Sequence, residues 1–207
     1  MKYDPADLQA ALNGVMRRAL LALASTLLLC SGLVHAAAAN GLLNDTGHFD
    51  FTRVCFDGAL EGTNACTGTL VANGTPSASN RATTDWACTK DNVTQLIWSL
   101  QSGQGDWGNF AKLTLPNEHN TSNRCGFNSG WRPPTRSELL SLVQRGLSDG
   151  TIIDTNYFPS TPSNWYWTND TYAPVPNVAW FVSFYDGNSY TNLKTLSFYV
   201  RLVRSVK

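Results

Sequence analysis

The chain has 207 residues, with 15 lysines and arginines against 15 aspartates and glutamates, so its formal charge at neutral pH is zero. Only 14% of residues are charged, a balance that announces no polyanionic partner such as a nucleic acid. An aromatic fraction of 11%, with abundant Gly, Asn, Thr and Ser, points to strands joined by long loops.

Residues 1–36 read as a secretory signal peptide. Arg17 and Arg18 precede an apolar run from Ala19 to Val34, and small residues surround a cleavage site after Ala36. Asp4 and Asp7 suit a basic leader poorly, which favours Met16 as the true start. The apolar run is short of the roughly 20 residues a spanning helix needs, so no membrane span is expected once the leader is removed. Leu29 ahead of Cys30 is too large for a lipoprotein signal. The expected destination is the periplasm, the cell surface or the extracellular medium.

Export makes the remaining four cysteines, Cys55, Cys66, Cys88 and Cys125, interpretable as disulfides. Three connectivities are open. The local one, Cys55–Cys66 and Cys88–Cys125, would close loops worth roughly 3 and 4 kcal/mol in the chain-entropy account. No C-x-x-C spacing or neighbouring histidine supports a metal site at these positions. From Arg53 to Lys207 twelve basic residues face thirteen acidic ones between Asp45 and Asp186, so the mature chain is also close to neutral.

Residues 37–85 form a loop-rich N-terminal extension, interrupted by a short strand from His48 to Val54. The domain proper is expected over 86–207. In DNVTQLIWSL, Leu96, Trp98 and Leu100 alternate with Val93, Gln95, Ile97 and Ser99, which predicts a first core strand from Asp91 to Leu100. Gln101 to Asn123 carries Gly, Pro and Asn where a helix would exclude them, and is expected to be loop with one helical turn at most.

A tightly specified segment follows from Cys125 to Gly146. Thr135 stands three residues ahead of Glu138, a capping box that starts a helix near Arg136. Leu139, Leu140, Leu142 and Val143 supply its apolar face, and Gly146 can end it in the left-handed conformation. Trp131 and the prolines fix the entry to that helix.

Beyond it, an aromatic strand is predicted from Trp165 to Thr168. In VAWFVSFYDG the set Val178, Trp180, Val182 and Phe184 is apolar throughout, and Asp186-Gly187 marks a hairpin turn. A return strand from Ser189 to Leu193 leads to a last strand over Leu196 to Arg204. There Phe198, Val200 and Leu202 should point inward, with Tyr199 and Arg201 outward. Trp98 and Trp180 are assigned to the core.

Taken in order, DWACTKDNVTQLIW, CGFNSGWRPPTRSELLSLV, IIDTNYFP, YWTNDTYA, AWFVSFYDG and YVRLVRS resemble the Lcl C-terminal domain family, the C-terminal domain of Legionella collagen-like proteins. The resemblance covers Trp86 to Ser205. It implies an α+β, C-type-lectin-like fold: a small antiparallel sheet with one well-defined helix and long loops, stapled by disulfides, whose first and last strands pair. It also implies a helix before the CG-x-x-x-WR-x-P-T motif, and a role in bacterial surface adhesion. The founding member binds sulfated glycosaminoglycans as a trimer, so a homo-oligomer or a surface assembly is an implied partner. The family defines no catalytic residue.

Sulfate binding needs clustered Lys and Arg. Here the local grouping is Lys194, Arg201, Arg204 and Lys207, which a solvated strand face explains as well as a site does. Sugar binding without metal needs exposed rings bordered by hydrogen-bonding groups. Trp165, Trp167, Asn169, Asp170, Tyr172, Tyr185, Asp186 and Tyr190 have that composition and are the candidate ligand contacts, for a glycan or another cell-surface ligand. Calcium would be the cofactor of a lectin-like fold, with Asn169, Asp170 and Asn177 as candidate ligands; their spacing and order fit turn and capping roles better. WRPPTRSEL also resembles a segment of formylglycine-generating enzymes, but those need reactive cysteines, and Glu138 is already explained by its cap. The expectation is a non-catalytic adhesion or carbohydrate-binding module, with a structural subunit of a surface assembly or pilus second and an enzyme on a lectin-like fold third.

Overall fold

A computed structural model describes residues 49–62, 85–145, 147 and 150–206. The leader, Cys66, Gly146, Lys207 and most of the N-terminal extension lie outside the described residues. Among the described residues seven strands form one sheet: β1 (Phe51–Cys55), β2 (Trp86–Asp91), β3 (Leu96–Gly105), β4 (Trp165–Thr171), β5 (Val178–Ser183), β6 (Ser189–Leu193) and β7 (Phe198–Ser205). Their spatial order is β1-β2-β3-β7-β4-β5-β6. Every pairing is antiparallel except β4 with β7, which touch in parallel at Tyr166 and Tyr199. The strand expected to be first does pair with the last, as β3 with β7, Leu96 opposite Ser205 through Gly105 opposite Phe198, but β1 and β2 precede it in the chain and in the sheet.

The segment expected to be one strand from Asp91 is a hairpin. Both Val93 N–H and Thr94 N–H donate to Asp91 Oδ1, and Gln95 takes φ 58°, so the chain turns between β2 and β3. Val93 is 65% exposed at the tip. The preceding strand, WACTKD, has almost every residue buried and shows no alternation to betray it.

Both faces of the sheet are buried. Leu96, Trp98, Leu100, Tyr166, Val182, Phe184 and Val203 form one core. Ile97, Trp167, Ala179, Phe181, Phe198, Val200 and Leu202 form the other. Alternation along each strand therefore separates two cores, not core from solvent. Two expectations are corrected by this. Arg201 points into the first core and is fully buried, and Arg204 is nearly so. Trp180 is only half-buried, because its core-side position lies near the end of the sheet beneath Arg136, whose guanidinium is 4.2 Å from the ring centroid.

The first core is closed by helix α2 (Arg136–Leu140) and by Leu142, Val143, Ile153 and Phe158. The second is closed by the helix that the family resemblance implies and that the residue pattern alone read as loop: a π-helical segment, Trp107–Thr114, runs into α1, Leu115–Thr121. Asp106 caps it by accepting from Asn109 N–H, and the wide turn shows as Ala111 N–H donating to Asp106 O. Two of the glycines and the proline counted against this helix sit where they do no harm. Gly103 and Gly105 belong to β3, where a Cβ would run into the Phe110 ring. Pro116 occupies the first turn of α1, where no N–H is required. Ala111, Leu115 and His119, four apart, form its buried stripe.

Cys88 on β2 is bridged to Cys125, with Cα atoms 6.3 Å apart. Cys55 is also disulfide-bonded; the predicted Cys55–Cys66 pair involves a residue outside those described. Gly126 follows at φ 79°, donating its N–H to Phe56 O, and a Cβ there would lie 2.7 Å from Asp57 O. The Cys-Gly pair is thus the place where the β1–β2 connection packs backbone against backbone.

Candidate functional site

The WR-x-P-T-x-x-E segment is a structural knot. Arg132 exchanges two backbone bonds with Val203 of β7, and its guanidinium donates to Glu138 Oε2 at 2.8 Å and Oε1 at 2.7 Å. Glu138 also accepts from Thr135 N–H, while Thr135 Oγ1 accepts from Glu138 N–H, the predicted capping box. Burial would raise the Glu138 carboxyl, but the Arg132 fork and the Thr135 N–H outweigh it and hold the group below the usual value. The same fork raises Arg132. The carboxylate and the guanidinium fork of this pair are thus spent on holding the fold together.

The WTND stretch is spent in a similar way. Asp170 Oδ2 accepts from Arg136 N–H at 2.6 Å, at the positive end of α2. Asn169 N–H donates to Pro134 O, and its side-chain and backbone oxygens accept from the Lys112 ammonium. Asn177 O accepts from Lys194 N–H. Calcium candidates Asn169 and Asp170 thus serve the helix and a lysine, and an ion at Asn169 would have to displace an ammonium. Among the described residues no group of three or more His, Cys, Asp or Glu is placed to hold a metal.

A second cluster was not legible in the sequence. Lys112 Nζ and Lys194 Nζ lie 4.2 and 4.1 Å from the centroid of Trp107, and Trp107 Nε1 donates to Thr168 O. Burial lowers the Lys112 ammonium, and Lys194 adds to that while Asp170 opposes it. Lys194 is therefore grouped with Lys112, while Arg201 donates to Ser99 O and Thr161 Oγ1 in the core. Nothing in the spacing of 107, 112 and 194 could have brought them together.

Ser99 Oγ lies 2.8 Å from His119 Nε2, a pairing that resembles a nucleophile with its base. Both side chains are fully buried, and the other ring nitrogen faces Leu115 O at 3.0 Å. The carbonyl requires Nδ1 to carry the proton, so Nε2 accepts from the serine. This is a satisfied core pair behind α1.

The expected aromatic contacts divide. Trp167 is fully buried, stacked on Phe198 at 4.3 Å, and is removed from any surface set. Tyr172 is half-buried with its ring edge-on to Trp180. Three remain outside: Trp165 and Tyr190, each 45% exposed, and Tyr185, 72% exposed on the β5–β6 turn. Trp165 and Tyr190 flank Phe181, with centroids 5.6 and 5.7 Å from it, in a row across β4, β5 and β6. Phe181 is 5% exposed and forms the floor. At the Tyr190 end, Asp186 Oδ2 accepts from the phenol at 2.8 Å while Oδ1 accepts from Asn188 N–H. Slight burial would raise the Asp186 carboxyl, but these bonds hold it below the usual range. The Tyr190 hydroxyl is raised in turn by its bond to Asp186. Gly187 makes this turn with φ 72°, where a Cβ would meet Val143 Cγ1 at 2.8 Å.

Among the described residues no helix is long and apolar enough to cross a membrane. A family model, the Lcl C-terminal domain, matches residues 87–204. No curated protein matches the chain.

Proposed function

The chain belongs to the Lcl C-terminal domain family, whose members are surface-associated domains, and from that premise we propose that it is an exported, non-catalytic module that adheres to carbohydrate. The observation that carries this reading is the row of Trp165, Phe181 and Tyr190: two half-exposed rings either side of a buried one, where every other described aromatic except Tyr185 is buried or half-buried. Sugars offer C–H faces to such rings and hydroxyls to the polar groups at their rim, here Asp186 and Asn188. The row is held rigidly, because its floor is cross-strand paired in register, Phe181 opposite both Trp167 and Tyr190. A lectin-like assignment of the fold draws support from the central β3–β7 pairing and from the long irregular segments beside the sheet.

The test is a glycan array probed with the full chain and with Trp165→Ala, with and without calcium. The wild-type chain should bind at least one glycan class without calcium. Trp165→Ala should weaken that binding roughly tenfold, the loss of one stacked ring worth about 1.4 kcal/mol. An array with no binding under either condition sinks the reading.

A further inference from the structure

The aromatic row also specifies what kind of glycan it takes, an inference that rests on the carbohydrate-binding reading above. Trp165 and Tyr190 stand on strands two apart, so their rings are separated by about 10 Å across the sheet. Successive pyranose rings of a β-linked chain lie only about half that distance apart, so the two aromatics take every other sugar, with the intervening sugar above Phe181. Stacking on both rings at once requires each sugar to turn a flat C–H face to the sheet. Gluco-configured sugars joined by β-linkages do this, because their hydroxyls lie in the ring plane.

Charge then selects among such chains. The charged group in contact with the row is the Asp186 carboxylate, bonded to Tyr190. Among the described residues no lysine or arginine lies over Trp165, Phe181 or Tyr190, although cations cover Trp86, Trp107 and Trp180 elsewhere. Lys194, on the same chain segment as Tyr190, lies about 13 Å along the strand, beyond the screening length of about 8 Å at physiological salt. Its ammonium is tied to Thr171 Oγ1 and Pro176 O, and that of Lys112 to Asn169. An acidic sugar on the row would therefore meet a carboxylate with no cation beside it to offset the repulsion.

We propose that Trp165, Phe181 and Tyr190 form a three-sugar platform for uncharged, β-linked, gluco-configured chains, the outer two sugars stacked on Trp165 and Tyr190, and that Asp186 turns acidic glycans away from it.

The experiment is calorimetric titration of the full chain with two probes of equal length, a neutral N-acetylglucosamine tetrasaccharide and a heparin-derived sulfated tetrasaccharide, using wild type, Trp165→Ala, Tyr190→Ala and Asp186→Asn. The neutral probe should bind, and either aromatic truncation should weaken it roughly tenfold. The sulfated probe should bind at least about tenfold more weakly than the neutral one, and Asp186→Asn should narrow that gap severalfold. Circular dichroism of each variant keeps a folding defect from passing as a binding defect, and the two aromatic variants check each other. Tighter binding of the sulfated probe, lost in Trp165→Ala, overturns the charge selection while leaving the glycan reading in place. Sulfated binding indifferent to Trp165 and Tyr190, with no neutral binding, overturns the platform. Failure of both probes, together with an empty array, removes the functional reading itself.

Discussion

Glu138 offers the sharpest test of how the fold is held. Glu138→Ala removes a bidentate bond to Arg132 and one half of a capping box in a single step. The cap alone is worth about 1 kcal/mol. A charge-assisted pair in the interior would add about 1.5–3 kcal/mol, but both side chains keep some solvent contact, which reduces it to about 1–2 kcal/mol. The sum is a loss of about 2–3 kcal/mol, or roughly 5–10 °C in melting temperature for a domain of this size. Glu138→Gln should lose about half as much, since an amide can still close the capping box. The carboxyl is held below its ordinary 4.5, so its contribution is complete above that pH and disappears as pH falls through the depressed native value. Thermal melts of wild type and Glu138→Ala, recorded at pH 7 and in strong acid with the disulfides intact, should therefore converge at low pH. A deficit under 0.5 kcal/mol at pH 7, or one of equal size in acid, would refute the reasoning.

Replacing both Cys88 and Cys125 by alanine opens a 37-residue separation and should cost about 4 kcal/mol, read from denaturant unfolding against the oxidised wild type; a change in midpoint too small to resolve would count against it. Gly126→Ala should destabilise by about 2 kcal/mol or more, because its Cβ would strike Asp57 O as well as forcing a left-handed residue, whereas Gly62→Ala, with the same φ sign and open space around it, should lose about 1 kcal/mol. Equal losses at the two glycines would show that the backbone contact does not matter. Calcium at millimolar concentration, or its removal by chelation, should leave the melting temperature within about 1 °C, given the employment of Asn169 and Asp170; a rise of several degrees would require those residues to release Lys112 and α2.

What the sequence disclosed, it disclosed through local chemistry. Thr135 and Glu138 are neighbours along one helical turn, so their bond follows from spacing alone. Asp186-Gly187 fixes a turn, and Ser189–Leu193 follows from it. What stayed hidden depends on distant parts of the chain. Alternation was taken to separate inside from outside, yet both faces are covered: Phe158 and α2 close the first, where Arg201 lies, and α1 with the π-helical segment closes the second, where Trp167 lies, so both are buried at positions that a half-solvated strand would expose. WACTKD lacks alternation for the same reason. The helix over 107–121 was obscured by Gly103 and Gly105, which belong to β3 and make room for Phe110, and by Pro116, which is tolerated in the first turn of α1. Of the candidate contacts, Trp165, Tyr185 and Tyr190 are on the surface, while Asn169 and Asp170 bind the fold to itself.

The place of β7 in the sheet governs the timing of folding. The ribbons β1-β2-β3 and β4-β5-β6 are each continuous, but within the sheet they meet only through β7, the last strand in sequence. Neither ribbon can bury both its faces before Phe198–Ser205 has been inserted between them. Such a chain gains little by folding as it emerges, and its central pairing closes a loop of about a hundred residues, which slows it further. Until that strand arrives, the edges of β3 and β4 are open templates for pairing with other chains. The interval between synthesis and insertion of β7 is therefore when this protein most needs protection from aggregation.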